Sequence, residues 1–368
     1  MELIPSSRIR RSPYFDSTIA AGCTAWTVYN KMLMPLSYGD LKAEYDRLIN
    51  AVAMWDVAGE RQVQIQGADA FACAQYLSSR DLSKMVEGQG YYVAMCDHDG
   101  RILNDPVLLK LSGNRYWFSI ADNDMLLWAK AAAAEKGFDV AVSEPDVSPL
   151  AIQGPKAEDL VAELFGDHVR SLRYFWFTET SLDDIPIVVC RSGWSKQGGF
   201  ELFLQDGTRG VELWNRVAAA GEKYGIGPGA PNHVERIESG LLSYGGDNTP
   251  DSNPYETLMG RYVTPHIEAD FIGKTALAKV AAAGPERQMV GLFIHDETAD
   301  AWPLPQRTPI WQGDRQVGTL SAVVWSHRLE KKIGMGQVLS TVIGTGEAVE
   351  VEGPDGRSSA TITTLPFI

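Results

Sequence analysis

Residues 191–203 read RSGWSKQGGFELF. Apolar residues through 187–191 predict a strand, the polar Gly-rich segment after it predicts a turn, and residues 200–204 predict a second strand. That second strand carries one acid, Glu201, among Phe200, Leu202, Phe203 and Leu204. An unpaired carboxylate is costly to bury in such surroundings, so Glu201 needs a partner, and a ligand is a candidate.

Outward from this strand pair, the grammar is strand pairs alternating with helices. Residues 40–53 set Leu41, Tyr45, Leu48 and Val52 at helical spacing and lead into MWDV at 54–57. RQVQIQ at 61–66 alternates like a half-buried strand, and 68–79 reads as a helix. Residues 91–97 and 103–111 predict two strands joined by an Asp97-His98-Asp99-Gly100 turn, with Asn104 and Asp105 on the second arm. A strand at 115–120, a helix at 122–136 capped by Asp122 and a strand at 138–142 follow. After the strand 148–153 and the Gly154-Pro155 breaker, a helix at 156–165 starts the same grammar again. Hairpins this short predict antiparallel sheets, hence layered α+β units.

Further on, 210–224 and 231–243 predict amphipathic helices, the second carrying Glu235, Arg236 and Glu238. The loop GGDNTPDSNPYE at 245–256 is long and polar, a kind often functional inside compact domains. Beyond AAAGP at 281–285 the chain turns to short strands at 288–294, 316–324, 334–338, 348–351 and 359–364, the pattern of a separate small β-barrel or sandwich.

Composition narrows the function. A chain of 368 residues has room for two or three domains, because single cores stop growing at about 250–300 residues. The net charge of −14 argues against a general nucleic-acid surface and favours a small-molecule partner. Cys23, Cys73, Cys96 and Cys190 show no paired spacing, as expected of reduced thiols. The basic N-terminal stretch lacks the apolar run of a signal peptide, and no stretch approaches the roughly 18 apolar residues of a membrane span, so the cytoplasm is the expected location, with no membrane partner. The histidines are scattered, with no metal-ligand spacing, so no metal is expected. Phosphate-loop, dinucleotide and Gly-x-Ser-x-Gly signatures are absent from the sequence. What remains is a set of polar residues in apolar settings: Asn104 and Asp105, Glu201, and Arg236 on a helix leading to Tyr244. Taken singly, each is as well explained by a structural hydrogen bond or ion pair.

Five ordered stretches give these residues a common setting: MPLSYGDLKAEYDRL with MWDVAGERQVQIQG, GRILNDPVLLKL, SPLAIQGP, RSGWSKQGGFELF and VERIESGLLSYGGD. Together they resemble the glycine-cleavage T-protein (aminomethyltransferase) family. SSRIRRSPYF, TVYN, WDVAGERQV, LNDPVLLKL and EPDVSPLAIQGP are similar to the tetrahydrofolate-dependent dimethylsulfoniopropionate demethylases within it. The resemblance implies an enzyme with an α+β fold, a three-domain cloverleaf in which residues 1–280 hold two intertwined α+β subdomains with antiparallel sheets and bind folate, and 285–368 form a C-terminal β-barrel. It implies tetrahydrofolate as co-substrate, with Glu201 gripping the pterin and Arg236 and Tyr244 at the folate-contacting end of the following helix.

The departures bear on the reaction. Where the family's strand reads D-D, this chain has Asn104 followed by Asp105. Expelling ammonia in aminomethyl transfer benefits from an acid–base group, whereas a sulfonium methyl leaves a neutral thioether behind. Asn104 and Asp105 are thus the expected catalytic pair for methyl transfer from dimethylsulfoniopropionate or a close sulfonium analogue to N5 of tetrahydrofolate. A cationic donor suits aromatic faces, for which Tyr29, Trp176 and Trp194 are candidates, with Lys31 or Lys196 for its carboxylate. Phe203 stands where the demethylases are expected to carry Tyr, which bears on substrate identity. The alternatives are methyl transfer from a betaine or methylamine, aminomethyl transfer itself, and a non-enzymatic folate-binding assembly protein. A homodimer is a candidate assembly.

Overall fold

The Glu201 strand lies inside a six-stranded sheet. In the computed structural model, which describes residues 6–295, 307–344 and 346–368, the order across that sheet is Phe177–Leu182, Ile185–Cys190, Gly199–Leu204, Ser148–Gln153, Val52–Asp56 and Ile226–Gly229. All neighbours are antiparallel except the last two, which pair in parallel with Ile226 opposite Val52. Short-hairpin reasoning does not reach that pair, because its strands are joined through most of the intervening chain.

The sheet belongs to the first of two compact units, made of Met1–Ala74, Leu82–Tyr92 and Pro106–Asn232. Alternation along Gly199–Leu204 sends Phe200, Leu202 and Leu204 to one face, where they meet Leu160 and Val161 of the helix Ala157–Phe165 and Leu213, Trp214 and Val217 of the helix Gly210–Gly221. Each such side chain, fully buried, contributes about 1.5–3 kcal/mol. The opposite face carries Glu201 and Phe203. Phe203 packs with Val188, Cys190, Phe177 and Trp117, its ring centroid 6.5 Å from that of Trp117. Trp117 belongs to a five-stranded antiparallel sheet ordered Val140–Ser143, Gln62–Gly67, Arg115–Ser119, Val107–Ser112 and Gln89–Tyr92. Phe203 is therefore core, and a tyrosine hydroxyl there would need a partner within that cluster.

The second unit comprises Gln75–Asp81, Val93–Asp105 and His233–Ile368. Six of its strands close a barrel, in the order Arg287–Ile294, Lys331–Leu339, Arg315–Ser326, Thr308–Gln312, Ala348–Gly353 and Gly356–Thr363. Val290, Leu292, Leu320, Val338, Val351 and Ile362 fill it. The helix His233–Glu238 rests on the barrel through Ile237, which packs with Met289, Val324, Ile333 and Met335.

Three of the expected elements take a different form in the structure. The expected hairpin arms at 91–97 and 103–111 are each broken: Gln89–Tyr92 and Val107–Ser112 join the five-stranded sheet, while Met95–Cys96 and Ile102–Asn104 pair alone. Pro106, which has no N–H, ends the ladder directly after Asp105. The helix expected at 231–243 is only His233–Glu238, because Gly240 takes a left-handed φ of 64°. Leu241 N donates to Arg236 O (2.8 Å) and Gly240 N to Ile237 O (3.0 Å), the paired bonds of a Schellman stop. The helix expected at 122–136 begins at Leu126, and Asp122 does not cap it; the Asp122 carboxylate accepts from Asn30 N at 2.7 Å. Asp40 does cap Leu41–Asn50, accepting from Ala43 N at 2.9 Å. All four cysteines are buried and free. No helix among the described residues is long and apolar enough to cross a membrane.

Candidate active site

In the first unit Glu201 sits between Ala151 and Cys190 on neighbouring strands and is 6% exposed. The Ser192 hydroxyl donates to its Oε2. Burial pushes the Glu201 carboxyl above the ordinary carboxylate range, and the Ser192 bond pulls against that rise.

The turn between the two strands is folded around one side chain, Gln153. Its Nε2 donates to Ser192 O at 3.0 Å and Phe200 O at 3.3 Å, and its Oε1 accepts from Ser195 Oγ at 2.7 Å. Gly154 N closes the turn onto Gly198 O at 2.9 Å. Gly193 and Gly199 have φ of 143° and 147°, and a Cβ at either would overlap the Gln153 amide. Gly193 and Gly199 thus let the backbone close on that amide. This turn carries Trp194, half-buried, and Lys196, exposed. Trp176 is tied to the base of the same hairpin, its carbonyl accepting from Arg191 N at 2.9 Å, and the Arg173 guanidinium lies 4.2 Å from its ring.

Tyr29 and Lys31 lie on a different hairpin, Ala25–Tyr29 with Met32–Ser37, absent from the sequence reading. Its tip, Asn30 and Lys31, has positive φ (47° and 62°). The buried Asn30 amide holds the tip, donating to Gly59 O (3.0 Å) and Ala121 O (2.9 Å). Lys31 is exposed and pairs with Asp124 at 3.4 Å, while Asp124 and Glu144 also engage Arg61.

The second unit gathers Asn104, Asp105, Arg236 and Tyr244. Asn104 ends the strand Ile102–Asn104 fully buried, and Asp105 follows it, its Oδ2 accepting from Asn248 Nδ2 at 3.2 Å. Tyr244 pairs with Asn248 through a parallel bridge, and its hydroxyl donates to Ile102 O at 3.4 Å. Arg236 is committed to its own surroundings: Nη1 donates to Asp247 Oδ2 at 2.6 Å and Leu241 O at 3.2 Å, and Nε donates to His233 Nδ1 at 3.1 Å. His233 is exposed as a residue, but desolvation of its ring, aided by the Arg236 charge, lowers the imidazole to about 4. Among the described residues no cluster of His, Cys, Asp and Glu is placed to hold a metal ion.

Four residues absent from the sequence reading join these groups: Ser192 and Gln153 in the first unit, Asp247 and Asn248 in the second. Each stands inside a quoted motif or the polar loop. Ser192 and Asp247 pair within their own motifs, 9 and 11 positions from Glu201 and Arg236, whereas the partners of Gln153 and Asn248 are distant in sequence, so only the fold reveals those two pairings.

The comparisons with known proteins agree in kind. The profile of the GCVT N-terminal domain matches residues 14–266, and that of the glycine cleavage T-protein C-terminal barrel domain matches 287–368. The dimethylsulfoniopropionate demethylase DmdA of Ruegeria pomeroyi is 44% identical over 98% of both chains. An aminomethyltransferase of Bacillus pumilus is 28% identical, again over 98% of each. The crystal structure of the glycine cleavage system aminomethyltransferase T from Bartonella henselae superposes with a TM-score of 0.85 at 21% identity, covering 98% of both chains. With both family profiles matched in order and a relative at this identity along nearly its whole length, the chain belongs to the glycine-cleavage T-protein, or aminomethyltransferase, family.

Proposed function

We propose that the protein is a tetrahydrofolate-dependent demethylase that moves a methyl group from dimethylsulfoniopropionate, or a close sulfonium analogue, to N5 of tetrahydrofolate. The products are 5-methyltetrahydrofolate and methylmercaptopropionate. The observation that carries this reading is the full-length likeness to the Ruegeria demethylase. The buried neutral Asn104 beside Asp105 supports it from the chain's own chemistry.

The residues suit a reduced folate. Glu201 offers a buried carboxylate whose Oε2 is steadied by Ser192, leaving Oε1 to take pterin N–H groups in charge-assisted bonds. Tetrahydrofolate, when bound, supplies the nucleophilic amine. Asn104 orients that amine by hydrogen bonding without adding charge, and Asp105 accepts the proton the amine loses. Trp194, Trp176 and Tyr29 offer faces to the sulfonium, and Lys196 or Lys31 offers a cation to its carboxylate. Arg236 acts at the folate end through the loop it holds by Asp247, next to Tyr244. As the C–S bond breaks, its electron pair stays on a neutral thioether that needs no protonation. The work left to the protein is alignment of nucleophile, carbon and sulfur, an effect worth up to about 7–11 kcal/mol in well-oriented systems. A cytoplasmic enzyme, alone or as a homodimer, fits this chemistry.

Incubation with tetrahydrofolate and dimethylsulfoniopropionate should yield both products in equal amounts. Intact folate binding without turnover would reject the proposed donor. Aminomethyl transfer is the second reading, favoured by the aminomethyltransferase relatives and the shared fold. A donor panel that includes betaine, a methylamine and the aminomethyl carrier separates the readings, and Asn104 in place of an acid weighs against aminomethyl transfer.

A further inference from the structure

The loop 245–256, long and polar in sequence, touches Asp105 and is held by Arg236 through Asp247, but none of its side chains takes part in the proposed contacts with folate. Its first turn is nevertheless held from several sides. The fully buried Asp247 accepts from Arg236 Nη1 (2.6 Å) and Ser243 N (2.8 Å) on Oδ2, and from Ser321 Oγ (2.6 Å) on Oδ1. Arg307 Nη2 donates to the carbonyls of Gly246 (2.8 Å) and Asp247 (2.9 Å).

Asn248, the next residue, is fully buried as well. Its backbone carbonyl accepts from Gly245 N at 2.8 Å, and its Nδ2 donates to Asp105 Oδ2 at 3.2 Å. A carboxylate oxygen only accepts, so this bond fixes the amide orientation; the reversed amide would set two acceptors against each other. Oδ1 is then buried with no hydrogen-bond donor among the described residues. A loop pinned by Arg236, Ser321 and Arg307 does not swing to supply one. A buried carbonyl without a donor is costly, and a ligand that brings an N–H removes the cost.

We propose that Asn248 is a specificity residue for the reduced pterin, its Oδ1 accepting a hydrogen bond from a ring N–H that exists only in the tetrahydro form. This rests on the reading that Asn104 and Asp105 serve the reacting amine, because Asn248, bonded to Asp105, then addresses the same end of the ring. In tetrahydrofolate N5 and N8 each carry a hydrogen. In fully oxidised folate both are acceptors and meet Oδ1 with like polarity. The same oxygen thus favours the reduced ring and disfavours the oxidised one.

The test is equilibrium binding of tetrahydrofolate and of folic acid, titrated separately and anaerobically into wild-type and Asn248→Leu protein by calorimetry, with no methyl donor present. The wild type should prefer tetrahydrofolate, and in the variant that preference should fall about tenfold or more, the equivalent of about 1.4 kcal/mol. Asn248→Thr keeps a hydroxyl to donate to Asp105 but lacks the carbonyl, so it should show the same fall, and it carries the test if the leucine variant does not fold. Equal weakening of both ligands would reduce Asn248 to a support for Asp105 and overturn the proposal. Unchanged affinities would mean that water satisfies Oδ1, which overturns it too. A wild type that binds neither ligand would remove the folate reading itself, whereas a preference kept in both variants would remove only the role of Asn248.

Discussion

Replacing Ser192 with alanine takes away the side-chain hydroxyl that donates to Glu201. The carboxylate is 6% exposed, and burial already holds its pKa above the ordinary range, with the Ser192 bond opposing the rise. A hydrogen bond to a buried charge contributes about 1.5–3 kcal/mol. Its loss should therefore weaken tetrahydrofolate binding about 10- to 150-fold near neutral pH. The sign follows from which form the bond favours. Ser192 favours the anion, so its removal raises the Glu201 pKa further and lowers the anionic fraction that can accept pterin N–H groups. The deficit should be largest on the acid side and shrink as pH rises past the raised pKa, where both proteins carry the anion. Calorimetric titration of tetrahydrofolate across roughly pH 5 to 9 reads this shift of the binding profile, which a general loss of packing would not produce. Ser192→Thr, which restores a hydroxyl, should recover the wild-type profile. If Ser192→Ala keeps the wild-type pH midpoint, Ser192 does not govern the Glu201 charge, and the reasoning fails even where the affinity has dropped.

Glu201→Gln should abolish tight folate binding yet raise the melting temperature at neutral pH. A carboxyl with a raised folded pKa weakens the fold above that pKa and ceases to do so below the unfolded carboxylate range, so the gain should vanish in acid; a lower melting temperature at neutral pH would contradict the direction of the shift. His233 works in the opposite sense. Its folded pKa of about 4 lies below the usual 6.5, so stability is lost as pH falls through that window, by less than the full shift would give because the residue is exposed and solvent screens it. His233→Asn should flatten the loss in denaturant melts between pH 7 and about 4, and an unaltered slope would place the acid sensitivity elsewhere. Gly193→Ala should destabilise the protein by about 1–3 kcal/mol, because its φ of 143° and the Gln153 amide both exclude a Cβ, and an unchanged melting temperature would mean that the turn does not close on Gln153 as described.

Periodicity made the Glu201 hairpin, the helix Leu41–Asn50 and most of the barrel readable, because each repeats its apolar spacing over a full element. Other elements lack that local signal. The hairpin tip at Asn30 and Lys31 contains no glycine and reaches positive φ because Gly59, Ala121 and Asp122 hold Asn30 from elsewhere in the chain. The same recruitment takes Asp122 away from the cap position its sequence context suggests. Thr308–Gln312 escapes notice as a strand because Pro309 interrupts a run of only five residues. Lys274–Ala283, rich in alanine, offers little contrast between faces.

The candidate site divides along the same line. Residues proposed to meet ligands, Glu201, Asn104 and Trp194, stand in motifs short enough to recognise. Ser192, which holds Glu201, stands in the same motif, but other supporting groups come from far along the chain: Ser195 reaches Gln153 across 42 positions, and Asn248 reaches Asp105 across 143. Motifs record where a polar group is needed, while the fold decides which group supports it. That distinction gives Asn104 its weight. On the proposed reading, an amide in place of an acid at position 104, beside the Asn248–Asp105 bond, would let one family frame carry a different one-carbon transfer through a change of charge at a single buried residue. An Asn104→Asp variant sharpens the point: with its neighbours intact it should fold, bind tetrahydrofolate and lose methyl transfer from the sulfonium. Full demethylation by that variant would separate the choice of reaction from position 104 altogether.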